Sequence, residues 1–200
     1  MTKIKICGLF LPRDIDFVNA AQPDYAGFVF AKSRREIGED AAREFRKRLD
    51  PSIQSVGVFV DAPVERVLRL YDDGVIDVAQ LHGQEDSDYI AELKKHTGLP
   101  VIKAIRVDSR EDILRAKSTP ADYPLLDNGA GGTGARFDWS LIKGLDRPYF
   151  LAGGIGADNI DRAFALCPYC IDVSSGAETE GVKDENKIRH LVIKTRGGAS

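Results

Sequence analysis

The chain has few cysteines, no long apolar run and no excess of positive charge, and each shortage excludes a class of protein. Its three cysteines are an odd number with no disulfide spacing, so we expect a reducing, cytoplasmic setting. The net charge is −3, with Lys and Arg scattered along the chain, which argues against a nucleic-acid partner. No apolar run is long enough to span a bilayer. The first strand begins too early to leave room for a signal peptide.

The chain does contain a repeated pattern of apolar strands, each followed by a helix. The predicted strands cover residues 3–7, 25–30, 54–60, 77–83, 100–106, 123–127, 148–154 and 169–176. The predicted helices cover residues 14–21, 39–49, 63–71, 86–96, 110–117, 139–143, 158–166 and 184–195. In the third helix, Pro63 is expected in the first turn, with Asp61 as the cap.

Continuous apolar strands that alternate with helices indicate a parallel sheet covered on both faces. Eight such units over residues 1–200, without a linker, predict a single-domain α/β fold, the (β/α)8 or TIM barrel, with a parallel eight-stranded core. Residues 196–200 are expected to form a frayed tail. A doubly wound open sheet is the alternative, but it normally has fewer strands and needs a switch point that the sequence does not reveal.

The first strand has one apolar face, whereas the other face carries Lys5 and Cys7. A lysine is almost never fully buried without a partner. We therefore expect Lys5 to be buried and ion-paired or multiply hydrogen-bonded, with Asp172 as an inward-facing candidate partner. The same alternation predicts that Lys103 points into the barrel and needs a carboxylate or carbonyl partner.

Polar residues gather at the predicted carboxyl ends of the strands, which is where barrels of this kind hold their active sites. These residues are Cys7, Arg35, Gln80, His82, Arg106, Asp127, Asp172 and Ser174. Gln80 and His82 share one face of their strand, and Asp172 and Ser174 share one face of theirs. The sequence therefore predicts a polar cup at one end of the barrel.

Two small-residue loops close the last two strands and predict a phosphate site. Its candidate residues are Gly153, Gly154, Ser174, Ser175 and Gly176. Glycines let backbone N–H groups approach phosphate oxygens, and this pair of loops is the usual phosphate site of the fold. The glycine-rich segment 129–134 is expected to be a mobile lid, with a disordered connection as the alternative.

Three other kinds of site are disfavoured. Cys167-Pro168-Tyr169-Cys170 has the spacing of a glutaredoxin motif, but it leaves a helix and enters a strand, the reverse of what that chemistry needs. We expect Cys170 to be a small interior residue. A thiol hydrolase is disfavoured because only His82 of the three histidines lies near the predicted site. No group of residues has metal-ligand spacing, so no metal is expected.

Several pieces of the chain recur in the same order and spacing in one known family. They are Lys5-Ile6-Cys7-Gly8, Gly27-Phe28-Val29-Phe30, Lys32-Ser33-Arg34-Arg35, Gln80-Leu81-His82-Gly83, Leu126-Asp127 and Asp172-Val173-Ser174-Ser175-Gly176. Over almost its whole length the chain resembles the phosphoribosylanthranilate isomerases of tryptophan biosynthesis.

The resemblance implies a cofactor-free Amadori rearrangement of a small phosphorylated sugar–anthranilate. It also implies that Cys7 is the general base and Asp127 the general acid, and that Arg35 lies beside the anthranilate carboxylate. Gln80, His82 and Asp172 would complete the substrate cup. We expect a monomer, with a dimer as the alternative.

The chemistry of these residues supports the same roles. The reaction needs an acid that opens the sugar ring and a base that removes the C2′ proton. An ordinary Cys is only a few per cent thiolate at pH 7, so Cys7 needs a cationic neighbour, for which Lys5 and Arg35 are the candidates. Asp127 must instead be kept protonated.

Two other functions stay open at this point. The related aminoaldose isomerase of histidine biosynthesis resembles this chain in fold and reaction, but it uses a carboxylate where Cys7 stands, so Cys7 counts against it. A dual-specificity enzyme keeps this alternative open. A phosphate-binding barrel without catalysis is the other alternative, and such a protein needs no acid, base or lid.

Overall fold

The structure, a computed structural model, describes residues 1–96, 98–127 and 138–197. Its parallel strands are Lys3–Cys7 (β1), Tyr25–Val29 (β2), Gln54–Phe59 (β3), Val78–Leu81 (β4), Val101–Arg106 (β5), Tyr123–Asp127 (β6), Phe150–Leu151 (β7) and Cys170–Val173 (β8). They pair in chain order, and β1 also pairs with β8, which closes a barrel. The predicted (β/α)8 barrel is confirmed, and the open sheet is excluded.

Helices connect the strands on the outside of the barrel. The α-helices in the described part are Pro12–Ala21 (α1), Glu39–Arg48 (α2), Val64–Asp72 (α3), Ser87–His96 (α4), Arg110–Ser118 (α5), Ile160–Phe164 (α6) and Glu185–Gly197 (α7). Short 3-10 helices cover Trp139–Ile142 and Ser175–Ala177. An antiparallel hairpin, Glu178–Thr179 (β9) and Val182–Lys183 (β10), follows β8. Among the described residues, none of the helices has the length and apolar character needed to cross a membrane.

The structure corrects several predicted boundaries. Strand β7 spans two residues rather than the seven expected. Helix α3 begins after Pro63, and Asp61 does not cap it, because the Asp61 carboxylate accepts a hydrogen bond from the Gln84 backbone N–H at 2.6 Å. Helix α7 runs to Gly197, so part of the predicted tail is helical. The β9–β10 hairpin was not among the predicted elements.

The interior of the barrel is separate from the core beneath the helices. Ile4 and Ile6 of β1 face outward and belong to that outer core. The inward residues near the strand starts form a second apolar cluster, which comprises Tyr25, Val56, Val78, Ile102, Leu125, Phe150, Ala152 and Cys170. Cys170 is thus a small interior residue, as expected. Cys167 is exposed, and both are free thiols.

The predicted inward orientation of Lys103 is wrong. Strand β5 is apolar on both faces, and Ile102 occupies the interior, so Lys103 shares the outward side with its register partner Leu81. The expectation that Lys103 needs partners is nevertheless confirmed. Its Nζ donates to Glu85 Oε2 at 2.7 Å and to the Gly83 carbonyl at 2.8 Å.

Candidate active site

A cavity of about 300 Å³ lies at the carboxyl end of the barrel. The predicted site residues that line it are Cys7, Arg35, Gln80, His82, Asp127, Gly153, Gly154, Asp172, Ser174 and Ser175. A larger groove of about 1070 Å³ lies at the opposite end, beside the Trp139–Ile142 helix. That groove is mostly apolar and contains none of these residues, so the smaller cavity is the candidate active site.

Lys5 lies beneath the cavity and is completely buried. Its ammonium donates to Asp172 Oδ2 at 2.9 Å and to Gln80 Oε1 at 2.7 Å, which confirms the predicted ion pair. Burial alone would lower the pKa of Lys5, but the Asp172 carboxylate and Cys7 more than offset this effect and raise the pKa above its ordinary value. Lys5 is therefore a permanent positive charge at the base of the site.

Cys7 ends β1 at the edge of the cavity and is largely buried. Burial raises the pKa of the Cys7 thiol, Lys5 lowers it, Asp172 raises it and Lys183 lowers it, with a net upward shift. The sequence predicted one of the two opposing cations, Lys5, but named Arg35 in place of Lys183. The thiol is therefore the main form at neutral pH, and the two lysines limit the cost of forming the thiolate.

Asp127 ends β6 with its carboxylate in the same cavity. His82 Nε2 lies 3.6 Å from Asp127 Oδ2, and His82 Nδ1 lies 3.1 Å from Gln80 Nε2. Gln80 in turn contacts Lys5. A continuous row of polar groups therefore runs from Lys5 through Gln80 and His82 to the predicted acid, Asp127.

Arg35 reaches the cavity from the loop after β2, and a buried carboxylate holds it there. Its Nε and Nη2 donate to the two oxygens of Glu178 at 2.7 and 3.1 Å. Gly8 lies under this side chain, and a Cβ at that position would come within 2.3 Å of Arg35 Cδ. The backbone of Gly8 has φ +78, which also favours glycine. The arrangement fixes the guanidinium at the rim of the cavity.

Glu178, which the sequence analysis did not single out, binds more than one cation. Lys183 Nζ lies 2.8 Å from Glu178 Oε1, and Arg34 also pairs with this carboxylate. Burial would raise the pKa of Glu178, but Arg35 and Lys183 bring it down to about 2. Glu178 therefore binds three cations, Arg34, Arg35 and Lys183.

The predicted phosphate loops touch each other. Gly176 does not line the cavity; instead it packs against the loop after β7, where a Cβ would lie 2.0 Å from the Ile155 carbonyl oxygen. The close approach brings Gly153 and Gly154 to the same wall as Ser174 and Ser175. The predicted lid, residues 129–134, lies outside the described residues.

Comparison with known proteins gives a consistent result. The family model described as N-(5′-phosphoribosyl)anthranilate (PRA) isomerase matches residues 4–194. The N-(5′-phosphoribosyl)anthranilate isomerase of Endomicrobium trichonymphae is 51% identical over 197 residues, which cover 96% of this chain and 97% of that protein.

Solved structures show the same likeness. The phosphoribosylanthranilate isomerase of Thermus thermophilus superposes with a TM-score of 0.88 at 35% identity, covering 98% of this chain and 99% of that one. A phosphoribosylanthranilate isomerase in complex with reduced 1-(o-carboxyphenylamino)-1-deoxyribulose 5-phosphate gives a TM-score of 0.87 at 33% identity, with 98% of this chain and 100% of that chain covered.

Proposed function

The chain belongs to the N-(5′-phosphoribosyl)anthranilate isomerase family, and we propose that Cys7 and Asp127 are the base and the acid of its reaction. It is an isomerase of tryptophan biosynthesis that converts N-(5′-phosphoribosyl)anthranilate into 1-(2-carboxyphenylamino)-1-deoxyribulose 5-phosphate. The observation that carries the proposed roles is that one cavity contains the thiol, the carboxyl group and both small-residue loops.

Asp127 acts first. In its protonated form it gives a proton to the ring oxygen of the sugar, the C1′–O bond breaks, and the nitrogen lone pair forms a Schiff base with C1′. The position of Asp127 supports this role, because its carboxyl group ends β6 in the lining of the same cavity as Cys7. His82, 3.6 Å away, is the nearest basic side chain to that carboxyl group in the described part of the chain.

Cys7 acts second. Its thiolate removes the proton from C2′, the electron pair of that bond forms the C1′–C2′ double bond, and the C1′–N π pair returns to nitrogen. The enolamine then tautomerises to the ketone, as the C2′ hydroxyl loses its proton and C1′ gains one. The thiolate must form in a site where the neutral thiol is favoured. Lys5 and Lys183 lower the pKa of Cys7 against burial and Asp172, and thereby make that step accessible.

Arg35 is suited to hold the anthranilate carboxylate. A guanidinium presents two bidentate edges, and Glu178 occupies the Nε/Nη2 edge. The Nη1/Nη2 edge is the one that a substrate carboxylate would take. The phosphate of the substrate would then lie against the loops after β7 and β8, which line another wall of the cavity.

The test is turnover of fluorescent N-(5′-phosphoribosyl)anthranilate, generated in situ and mixed with the purified chain. The account expects the fluorescence to disappear much faster than in a blank without protein, with equal formation of the ketose product. The Cys7→Ser and Asp127→Asn variants serve as controls, because each removes one proposed group. Disappearance at the blank rate would contradict the assignment.

A further inference from the structure

We propose that Lys5 fixes the tautomer of His82 through Gln80, so that the single N–H group of the neutral imidazole lies at Nε2 and faces the Asp127 carboxyl group. Gln80 is then a positioning residue for the general acid. The proposal rests on the role proposed above for Asp127, but its first observable, the position of one imidazole proton, does not depend on turnover.

The orientation of the Gln80 amide follows from its contact with Lys5. An ammonium group has hydrogen-bond donors and no acceptor, so the oxygen of the amide must face it. Gln80 Oε1 lies 2.7 Å from Lys5 Nζ, and Asp172 holds the same ammonium at 2.9 Å. Both Lys5 and Gln80 are almost completely removed from solvent. The Gln80 NH2 group is therefore directed away from Lys5.

The position of the proton on His82 follows from that amide. Gln80 Nε2 lies 3.1 Å from His82 Nδ1, and because Nε2 can only donate, Nδ1 must accept. A neutral imidazole carries one N–H group, which is then at Nε2. That nitrogen lies 3.6 Å from Asp127 Oδ2, a distance that a bound substrate can shorten.

This arrangement disfavours a proton on Nδ1 of His82. Such a proton would point at the NH2 group of Gln80, and that buried amide would lose its acceptor. Gln80 cannot turn over to accept it, because its oxygen would then leave the Lys5 ammonium. The Nε2–H group is therefore the one that faces Asp127, where it can orient the carboxyl group toward the cavity.

Other charged groups lie around His82 and Asp127 and contribute to the electrostatic field at both. The titratable residues that line the cavity with His82 and Asp127 are Cys7, Lys32, Arg35 and Asp172. Those that line the adjacent cleft on the other side are Glu85, Asp86, Lys103, Arg106 and Arg115. Most of them act on His82 and Asp127 from a distance, whereas Gln80 alone meets His82 Nδ1 among the contacts of the described residues.

The experiment is nitrogen-15 NMR of the full chain labelled at histidine, with the His82 signals assigned by their loss in His82→Gln. We expect the neutral imidazole of wild-type His82 to be the Nε2–H tautomer. In Gln80→Glu, the new carboxylate accepts from Nδ1–H, so the neutral ring should carry its proton at Nδ1 instead. Turnover of Gln80→Glu should fall about tenfold or more, with the acid limb of the pH–rate profile displaced.

A second variant separates this role from a structural one. Gln80→Met keeps the size of the side chain but releases His82 Nδ1, so both neutral tautomers of the imidazole should be populated. A wild-type Nδ1–H tautomer, or a His82 spectrum unchanged in both Gln80→Glu and Gln80→Met, would overturn the proposal. Either result would leave the isomerase assignment standing, whereas an inactive wild type would leave the tautomer result standing.

Discussion

Each end of the barrel interior contains a lysine and a buried cysteine, but the groups that surround them differ between the two ends. At the amino-terminal end, Lys3 lies over aromatic rings, with its Nζ 5.3 Å from the ring centre of Tyr25 and 5.1 Å from that of Tyr169. At the other end, Lys5 sits among the Asp172 carboxylate, the Gln80 amide and the Cys7 thiol. One lysine packs against π-systems, whereas the other forms a buried ion pair.

The two buried cysteines differ in the same way. Burial raises the pKa of Cys170 well above its ordinary value, and its neighbours include the rings of the apolar cluster. Burial also raises the pKa of Cys7, but Lys5 and Lys183 oppose the shift, and its thiol opens onto the cavity. Lys5 lowers the pKa of Cys170 as well, so neither burial nor this cation distinguishes a structural thiol from a reactive one. Access to the cavity does.

The amino-terminal end is built for packing. The rings of Tyr123 and Tyr169 stack at 4.6 Å, and Phe150 lies between 5.5 and 5.7 Å from Tyr25, Tyr123 and Tyr169. Such aromatic pairs add stability beyond the area that they bury. The comparison predicts that changes at this end alter stability but leave turnover intact, whereas changes at the carboxyl end alter turnover.

The largest effects are expected at the two proposed catalytic groups. Cys7→Ser and Asp127→Asn should each lose at least about a hundredfold in kcat, the low end for acid–base catalysis, while substrate binding survives. Steady-state kinetics with thermal unfolding would measure this. The matched controls are Cys170→Ser, which should unfold more easily but keep its kcat, and the exposed Asp146→Asn. Near-normal turnover by either catalytic variant would remove that residue from the mechanism.

Replacement of Lys5 should lower the free energy of unfolding more than replacement of Lys3 at the other end of the barrel. Lys5→Met leaves the buried Asp172 carboxylate without its partner, which should cost about 3 kcal/mol in the free energy of unfolding. Lys3→Met should cost well under half of that, because it removes cation–π contacts and one long hydrogen bond to the Tyr25 hydroxyl, and it leaves no buried charge unpaired. Urea unfolding at pH 7 would give both values, and equal costs would contradict the distinction.

The same Lys5→Met variant tests the field at Cys7. Because Lys5 lowers the pKa of Cys7, its loss should move the alkylation of Cys7 by iodoacetamide to higher pH. The measurement needs a Cys167→Ser background, since Cys167 is exposed and would react as well. An unchanged alkylation profile would show that Lys5 does not act on the thiol.

Glu178 should make the stability of the chain depend on acid pH. Its pKa is about 2 in the folded chain and 4.5 as an ordinary value, so its contribution is complete above about pH 4.5 and is lost as the pH falls toward 2. We expect this pH-dependent contribution of Glu178 to the free energy of unfolding to be on the order of 1 to 3 kcal/mol. Comparison of Glu178→Gln with wild type across pH 7 to 2.5 should show the difference between them shrinking. A constant difference would contradict the lowered pKa.

The smallest effects are expected at the adjacent arginines. Arg35→Lys should raise the KM about tenfold, because Lys cannot reproduce a bidentate pair with a carboxylate. Arg34→Lys should change the KM less than threefold, because Arg34 reaches Glu178 from a half-exposed position away from the cavity lining. Kinetics at saturating and limiting substrate would separate KM from kcat. Equal effects would mean that both arginines act through Glu178 alone.

The sequence was informative where one face of a strand is plainly apolar. Ile4 and Ile6 settled the orientation of β1 and therefore the burial of Lys5. In β5 both faces carry apolar residues, so alternation could not tell that Ile102 fills the barrel and Lys103 does not. Which face of β5 turns into the barrel is decided by its register with the neighbouring strand. That register cannot be read from a single sequence.

The hairpin around Glu178 could not be predicted for a different reason. Glu178 meets Arg35 across 143 positions of sequence, and the two strands that carry it have two residues each. Nothing local in so short a stretch indicates a strand or a distant cation. The candidate site was therefore predictable where strand ends define it, and not where a long-range ion pair supports it.

The central claim is that chemistry belongs to the polar end of the barrel and packing to the aromatic end. The most direct measurement is a crystal structure of the chain with reduced 1-(o-carboxyphenylamino)-1-deoxyribulose 5-phosphate. We expect its phosphate against the loops at Gly153 and Ser174, its carboxylate on Arg35, and C2′ beside Cys7 Sγ. Binding of the analogue in the groove beside the Trp139–Ile142 helix, with an empty cavity at Cys7, would contradict the account.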